Sequence, residues 1–348
     1  MSAEVQALSP ETSPWPHRLA VLLCCATFPL IWIGGTVTTY EAGMAVPDWP
    51  TTYGYNLFLY PWQTWLLGPW DLFIEHGHRL FASLVGMLTI ALCISLWITK
   101  QPKWLKTLGL IALAGVIFQG VLGGMRVMFD QRTLAMMHGC VGPAFFAFTA
   151  ALAVVTSRRW RENHHTRHVP AAKALRWLAV FAPLLAYLQL ALGAHLRHFA
   201  EDGSPTVFRG MVISHVALAL MLTAYILIVA TAFWLNARGI KPLLLPATLL
   251  VGLIVMQLAL GASTWIVKYG WPAFLADSAA ASDFTVQARS WWQAQITTAH
   301  VATGSLILAI STVLAVRTVR LLKVQAAHGS RQEFAPSIPS NSLAEAAI

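Results

Sequence analysis

Charge is scarce in this chain. Only 11% of its 348 residues are Asp, Glu, Lys or Arg, where a water-soluble domain carries about 25%. That shortage excludes an ordinary soluble enzyme surface. Cysteine is scarce too: Cys24, Cys25, Cys93 and Cys140 are the only copies, and all fall in apolar stretches. Their placement argues against an outer-loop disulfide or a thiolate metal cluster and leaves them as small packing residues. No H-E-x-x-H helix is present to build a zinc site. Before Arg18 there is no Lys or Arg, only Glu4 and Glu11, which argues against a basic transit peptide. No clear small-residue cleavage site follows the first apolar run, so that run is read as a retained span.

What the chain does have is long apolar runs. Hydrophobic residues make up 57% of it, and its mean hydropathy is +0.62. A membrane span needs about 20 apolar residues. Eight such stretches can be drawn, at 19–39, 74–98, 105–125, 133–156, 174–196, 210–235, 243–267 and 292–316. These runs are continuous and too long for alternating barrel strands. The fold class is therefore an all-α polytopic membrane protein of eight transmembrane helices.

The net charge of +9 would suggest nucleic acid if it were spread at random. It is not: 16 of the 23 Lys and Arg fall on one side of an eight-span chain. The positive-inside rule then puts both termini in the cytoplasm. The basic character sets orientation in lipid and excludes a nucleic-acid partner. The segment Ser157–His168, with Arg158, Arg159, Arg161, His164, His165, Arg167 and His168, reads as a solvated cytoplasmic linker.

A repeat organises the spans. Span three holds Gln119-Gly120-Val121-Leu122-Gly123-Gly124, span five Gln189-Leu190-Ala191-Leu192-Gly193-Ala194, and span seven Gln257-Leu258-Ala259-Leu260-Gly261-Ala262. Span one offers Leu30-Ile31-Trp32-Ile33-Gly34-Gly35, without the glutamine. Small residues permit close backbone approach between helices in lipid, and they also leave space for a flat macrocycle. The glutamines are suited to hydrogen bonds across helices. After each copy come an outer loop and an even-numbered span with one buried histidine: His78, His138, His215 and His300. Ionisable groups in a bilayer are costly and read as functional. Four at matched repeat positions suit axial ligation of haem iron as two pairs.

One hairpin differs from the rest. Glu75-His76-Gly77-His78-Arg79 places Glu75 three residues before His78 and four before Arg79, spacings that share a helix face. The group lines a pocket, or Glu75 and Arg79 simply pair at a helix start. Haem propionates need cationic partners, and Arg79, Arg126, Arg197 and Arg209 lie near the outer ends of spans, as do His195 and His198. The first outer loop, about 40–73, is rich in Trp, Tyr and Pro. It reads as an interfacial anchor or a lid. The last, about 268–291, holds Trp271, Asp277 and Asp283.

With these residues in place, the chain resembles the haem A synthase family over nearly all of residues 19–320. The specific matches are Gly34-Gly35-Thr36-Val37-Thr38, continuing to Ala42-Gly43-Met44 and Asp48-Trp49-Pro50, followed by the element Glu75, His78, Arg79. The resemblance implies oxidation of a ring methyl of haem O to a formyl group, giving haem A for a terminal oxidase. It implies an oxidoreductase with a haem b cofactor on His215 and His300, substrate haem O on His78 and His138, and Glu75 as the catalytic acidic residue. It also implies a working association with a haem O synthase. Some members carry cysteine pairs in the outer loops; this chain has none there, so no thiol step is carried over and the electron acceptor is left open.

The expected domains are an N-terminal four-helix half (1–157) with the haem O site, a cytoplasmic linker (158–172), a C-terminal four-helix half (173–325) with the haem b site, and a disordered cytoplasmic tail (326–348). The expected location is a bacterial inner membrane. Two rivals stay open at this point. A quinone-linked bis-histidine haem b carrier shares the histidines but has no use for Glu75. A proton or solute transporter would use His and Glu as a relay.

Overall fold

The computed structural model describes residues 13–162, 166–200, 202–275 and 277–323. The expected disordered tail, Glu4, Glu11, His164 and His165 lie outside the described residues. Eight helices are long and apolar enough to cross a membrane: α1 (Trp15–Thr39), α2 (Trp70–Ile98), α3 (Lys103–Phe129), α4 (Arg132–Val155), α5 (Ala172–Arg197), α6 (Pro205–Asn236), α7 (Lys241–Tyr269) and α8 (Trp291–Leu321). The protein is a multi-pass membrane protein.

All eight helices run past the drawn spans at one end or both, and α6 is the longest at 32 residues. At 1.5 Å per residue that is about 48 Å, well beyond a hydrocarbon core of about 30 Å. Hydropathy marks where lipid ends, whereas backbone hydrogen bonding continues until something stops it. Proline starts several of the helices, where its missing N–H costs nothing: Pro69 precedes α2, Pro102 precedes α3, and Pro205 opens α6. The start of α8 is capped instead by Ser290, whose hydroxyl accepts from the Gln293 amide at 3.2 Å.

Packing contacts run around two rings. In the first, α1 meets α2, α2 meets α3, α3 meets α4, and α4 meets α1. In the second, α5 meets α6, α6 meets α7, α7 meets α8, and α8 meets α5. The seam between them is made by α8 against α4 and α1, and α4 against α5. Each ring has an apolar cluster, and the second runs across the seam to Phe146 and Ala150 of α4. One holds Leu23, Val85, Leu92, Leu105 and Leu152; the other holds Leu175, Ile226, Phe233, Leu250 and Leu314. Large apolar side chains such as Leu22, Met87, Ile117, Leu184, Leu220 and Val255 face outward, as lipid requires.

Helix α8 is the most buried span, although it carries Thr297, Thr298, Ser305, Ser311 and Thr318 fully inside. Ser305, Ser311 and Thr318 satisfy their hydroxyls on carbonyls one turn back, at 2.9, 2.6 and 2.7 Å. These small side chains let three other helices and α7 come close. On the cytoplasmic side of the expected orientation, the linker forms a short helix (Arg158–Glu162) and β1 (Arg167–His168), which pairs in parallel with β2 (Leu322–Lys323) beyond α8.

Candidate functional site

The repeat glycines and the histidines meet. Gly34 lies under the ring of His78, and a Cβ built on it would stand 3.0 Å from His78 Cε1. Gly123 and His138 show 3.0 Å, Gly193 and His215 show 3.0 Å, and Gly261 and His300 show 3.1 Å. Ordinary carbon contacts begin at about 3.5 Å. Each odd helix thus offers a flat seat that glycine alone leaves open, and the next even helix lays its imidazole there. The degraded copy in α1 keeps this seat.

The four rings form two pairs. His78 and His138 have ring centres 6.4 Å apart, with planes at 79°. His215 and His300 also stand 6.4 Å apart, at 72°. A metal about 2 Å from one nitrogen of each ring puts the ring centres roughly 6 Å apart. One iron therefore fits between each pair. Among the described residues no group of three or more His, Cys, Asp or Glu converges on a bare ion. Two protein ligands per site match an ion whose other positions are filled by a macrocycle.

The glutamines reach toward the histidine helices. Gln119 Nε2 donates to the His138 carbonyl at 2.9 Å, and the His138 Nδ1 lies 3.2 Å from the Gln119 carbonyl. Gln189 Nε2 donates to the His215 carbonyl at 3.0 Å and lies 3.1 Å from its Nδ1. The expected cross-helix hydrogen bonds are present, with the histidines' own backbone as acceptor.

Glu75 and Arg79 do form the ion pair, at 2.9 Å, with Glu75 only 2% exposed. They also bind the first outer loop. Glu75 Oε2 accepts the Val46 N–H at 2.9 Å. Arg79 Nη1 donates to the carbonyls of Asp48 (2.6 Å) and Thr51 (3.0 Å), and Nη2 to that of Val46 (2.8 Å). With Glu75 as the fourth acceptor, every terminal N–H of Arg79 is spent. Arg79 is a clasp for the loop, which removes it from the set of propionate partners. The loop folds around Asp48, which accepts from the Thr51 hydroxyl and from the amides of Tyr53 (2.8 Å) and Gly54 (2.9 Å). Burial works against the Asp48 charge, but these hydrogen bonds outweigh it and hold the carboxyl below its usual range. His76, buried beside His78, faces the loop and meets the Thr52 hydroxyl at 3.0 Å. Trp49 packs on Gly124 so tightly that a Cβ there would overlap the indole.

The other expected propionate partners are placed unequally. Arg126 Nη2 donates to the Gly43 carbonyl at 2.8 Å. Arg197 Nη2 crosses the seam to the Gly35 carbonyl and Thr39 Oγ1, both at 2.7 Å. Each keeps its other terminal nitrogen. Arg209 is exposed at the start of α6, and His195 is exposed with its Nδ1 near the Ala191 carbonyl. His198 is set among Arg197, Arg126, Lys268 and Arg132; burial first, and then those charges, push its imidazole down to about 4. Lys268 has no sequence signature and joins this cationic patch only through the fold.

Two findings from known proteins bear on this geometry. Residues 70–203 match the COX15-CtaA family model, described as cytochrome oxidase assembly protein. The chain is similar to the haem A synthases. It is 27% identical over 266 residues to haem A synthase of Shouchella clausii, covering 70% of this chain and 84% of that protein. It is 28% identical over 274 residues to haem A synthase of Exiguobacterium sibiricum, covering 73% and 86%. It is also 26% identical over 158 residues to a protoheme IX farnesyltransferase of Halobacterium salinarum, covering 44% of this chain and 32% of that protein.

Proposed function

We propose that this protein is a haem A synthase: a membrane oxidoreductase that converts the ring methyl of haem O to the formyl group of haem A, for use by a terminal oxidase. The observation that carries the reading is an asymmetry. Two histidine pairs have the same 6.4 Å spacing, but among the described residues only one is flanked by a buried carboxylate and a clasped loop. The pair His78 and His138 is the substrate site for haem O, in the N-terminal half. The pair His215 and His300, in the C-terminal half, holds haem b, which when bound supplies one-electron storage.

The residues divide the work. Gly34, Gly123, Gly193 and Gly261 set the ring planes. Glu75 is the catalytic residue, orienting water at the ring methyl and taking up a proton, while the electrons removed from the methyl pass to an acceptor outside this chain. Its present partners, Val46 and Arg79, fix the carboxylate in place and tie its position to the loop. The loop keeps bulk water away from the oxidised carbon. Arg126, Arg197 and Lys268 face the propionates at the outer surface. The basic side of the bundle is cytoplasmic, with both termini there, and the membrane is the bacterial inner membrane. Haem O arrives laterally from a haem O synthase. The likeness to part of a protein named for haem farnesylation supports that pairing.

The test is co-expression with a haem O source and chromatography of the extracted haems. Wild-type protein yields haem A, and Glu75→Gln retains haem absorption but yields none. Normal haem A from Glu75→Gln removes Glu75 from the reaction. Haem b alone from the wild type makes the protein an electron carrier, and no Soret band at all makes it a transporter.

A further inference from the structure

The four hairpins are not equally equipped. Gln119, Gln189 and Gln257 each stand four residues before the glycine that seats a histidine; in the first hairpin that position is Leu30. Leu30 is half-buried against the apolar cluster of its ring. The Gln119 and Gln189 amides donate to the carbonyls of His138 and His215. Gln257 lies beside Gly304, one turn past His300, its Nε2 3.3 Å from where a Cβ would be. Gln119 lies likewise beside Gly142, one turn past His138, at 3.2 Å. The Oε1 atoms of all three glutamines are buried and without a partner. An unsatisfied buried oxygen costs about 1–3 kcal/mol, and leucine would avoid that cost, as it does at position 30. Three matched copies of a costly group point to a task for the amide.

The distribution follows the two sites. Both histidines of the C-terminal pair have a glutamine. In the N-terminal pair His138 has one and His78 has none, and the His78 Nδ1 is buried without a partner. The His300 Nδ1 is also unpartnered, but its hairpin contains Gln257. Groups that hold a ligand histidine fix its orientation and raise its hold on metal, and losing one typically weakens affinity about 10–100-fold. A cofactor site must keep its haem through every turnover, whereas a substrate site must exchange it.

We propose that these glutamines are positioning residues, Gln119 and Gln189 through the carbonyls of His138 and His215 and Gln257 by packing at Gly304 one turn past His300, and that Leu30 leaves His78 as the releasable ligand through which haem enters and leaves the N-terminal half. The proposal rests on the reading of that half as the substrate site.

The experiment follows haem transfer from the purified full-length protein, loaded during co-expression with a haem O source, to excess apomyoglobin. Wild-type protein should release haem in a fast and a slow phase. Leu30→Gln should slow the fast phase about tenfold or more. Gln119→Leu should quicken the fast phase alone, and Gln257→Leu the slow phase alone. In electron paramagnetic resonance, Gln119→Leu should convert part of the low-spin ferric signal to high spin, a change that loss of packing far from iron does not produce. An unchanged or faster release from Leu30→Gln overturns the proposal. If Leu30→Gln does not accumulate folded, the other two variants decide: phase-specific effects support it, and equal or absent effects overturn it. A low-spin spectrum unaffected by His138→Ala would instead bring down the site assignment beneath it, which separates the two failures.

Discussion

Glu75 holds Val46: the carboxylate of α2 accepts an amide proton from the first outer loop at 2.9 Å, and Arg79 binds three carbonyls of the same loop. The acidic residue one helical turn before His78 is therefore mechanically joined to the first outer loop. Any variant that frees the loop also frees the carboxylate.

Arg79→Met should release that loop. It removes four hydrogen bonds and leaves Glu75 buried without its partner, a change that costs about 3–5 kcal/mol in comparable buried pairs. Amide exchange across residues 42–55 should rise sharply, while exchange in α6 stays as it was. An unaltered loop would mean that Asp48 and Trp49 hold it unaided.

Gly193→Ala should loosen haem in the C-terminal half. The new methyl would meet the His215 ring at 3.0 Å, and such overpacking costs about 1–3 kcal/mol. Gly210→Ala is the matched control, because nothing lies within 4 Å of that position. Soret absorbance per protein should fall for the first and hold for the second.

Arg197→Met should lower the melting temperature by detaching the two rings at the outer face. Its bonds to Gly35 and Thr39 are of the charged type, worth about 1.5–3 kcal/mol each. A melting temperature within error of the wild type would show that the α8 contacts alone hold the seam.

Acid should weaken the protein through His198. Burial and the cations around it push its folded value down to about 4 from the ordinary 6.5, so the unfolded chain binds the proton more tightly. Stability is then complete above about pH 6.5 and declines as pH falls toward 4. His198→Gln should flatten that part of a melting-temperature profile. An identical acid slope in the variant would assign the loss to other groups.

The helices were legible because lipid imposes a length and an apolar composition that few other environments demand. The Glu75–Arg79 pair was legible because a four-residue spacing on a helix is a distance. What Arg79 does with its other nitrogens was not. Its acceptors are backbone carbonyls 28 to 33 residues earlier, and every residue has a carbonyl, so no pattern marks the chosen ones. The repeat showed that Gly193 and His215 were equivalent to Gly123 and His138. It did not show that they touch, because contact depends on the turn between helices. Lys268 was silent for the same reason: it joins the patch around His198 through the arrival of α7.

The most enclosed helix is also the eighth in order among the described spans. α8 touches α1, α4, α5 and α7, and β2 just beyond it takes up the pairing edge of the linker. During synthesis the first ring can close as soon as α4 emerges, but the seam stays open, with the faces that α1 and α4 turn toward α8 uncovered. His215 waits for its partner ring over the same interval. A ribosome that stops before residue 291 would leave a chain whose N-terminal half is assembled and whose second histidine pair does not exist. Insertion of α8 is thus the step that closes the seam and completes the second histidine pair.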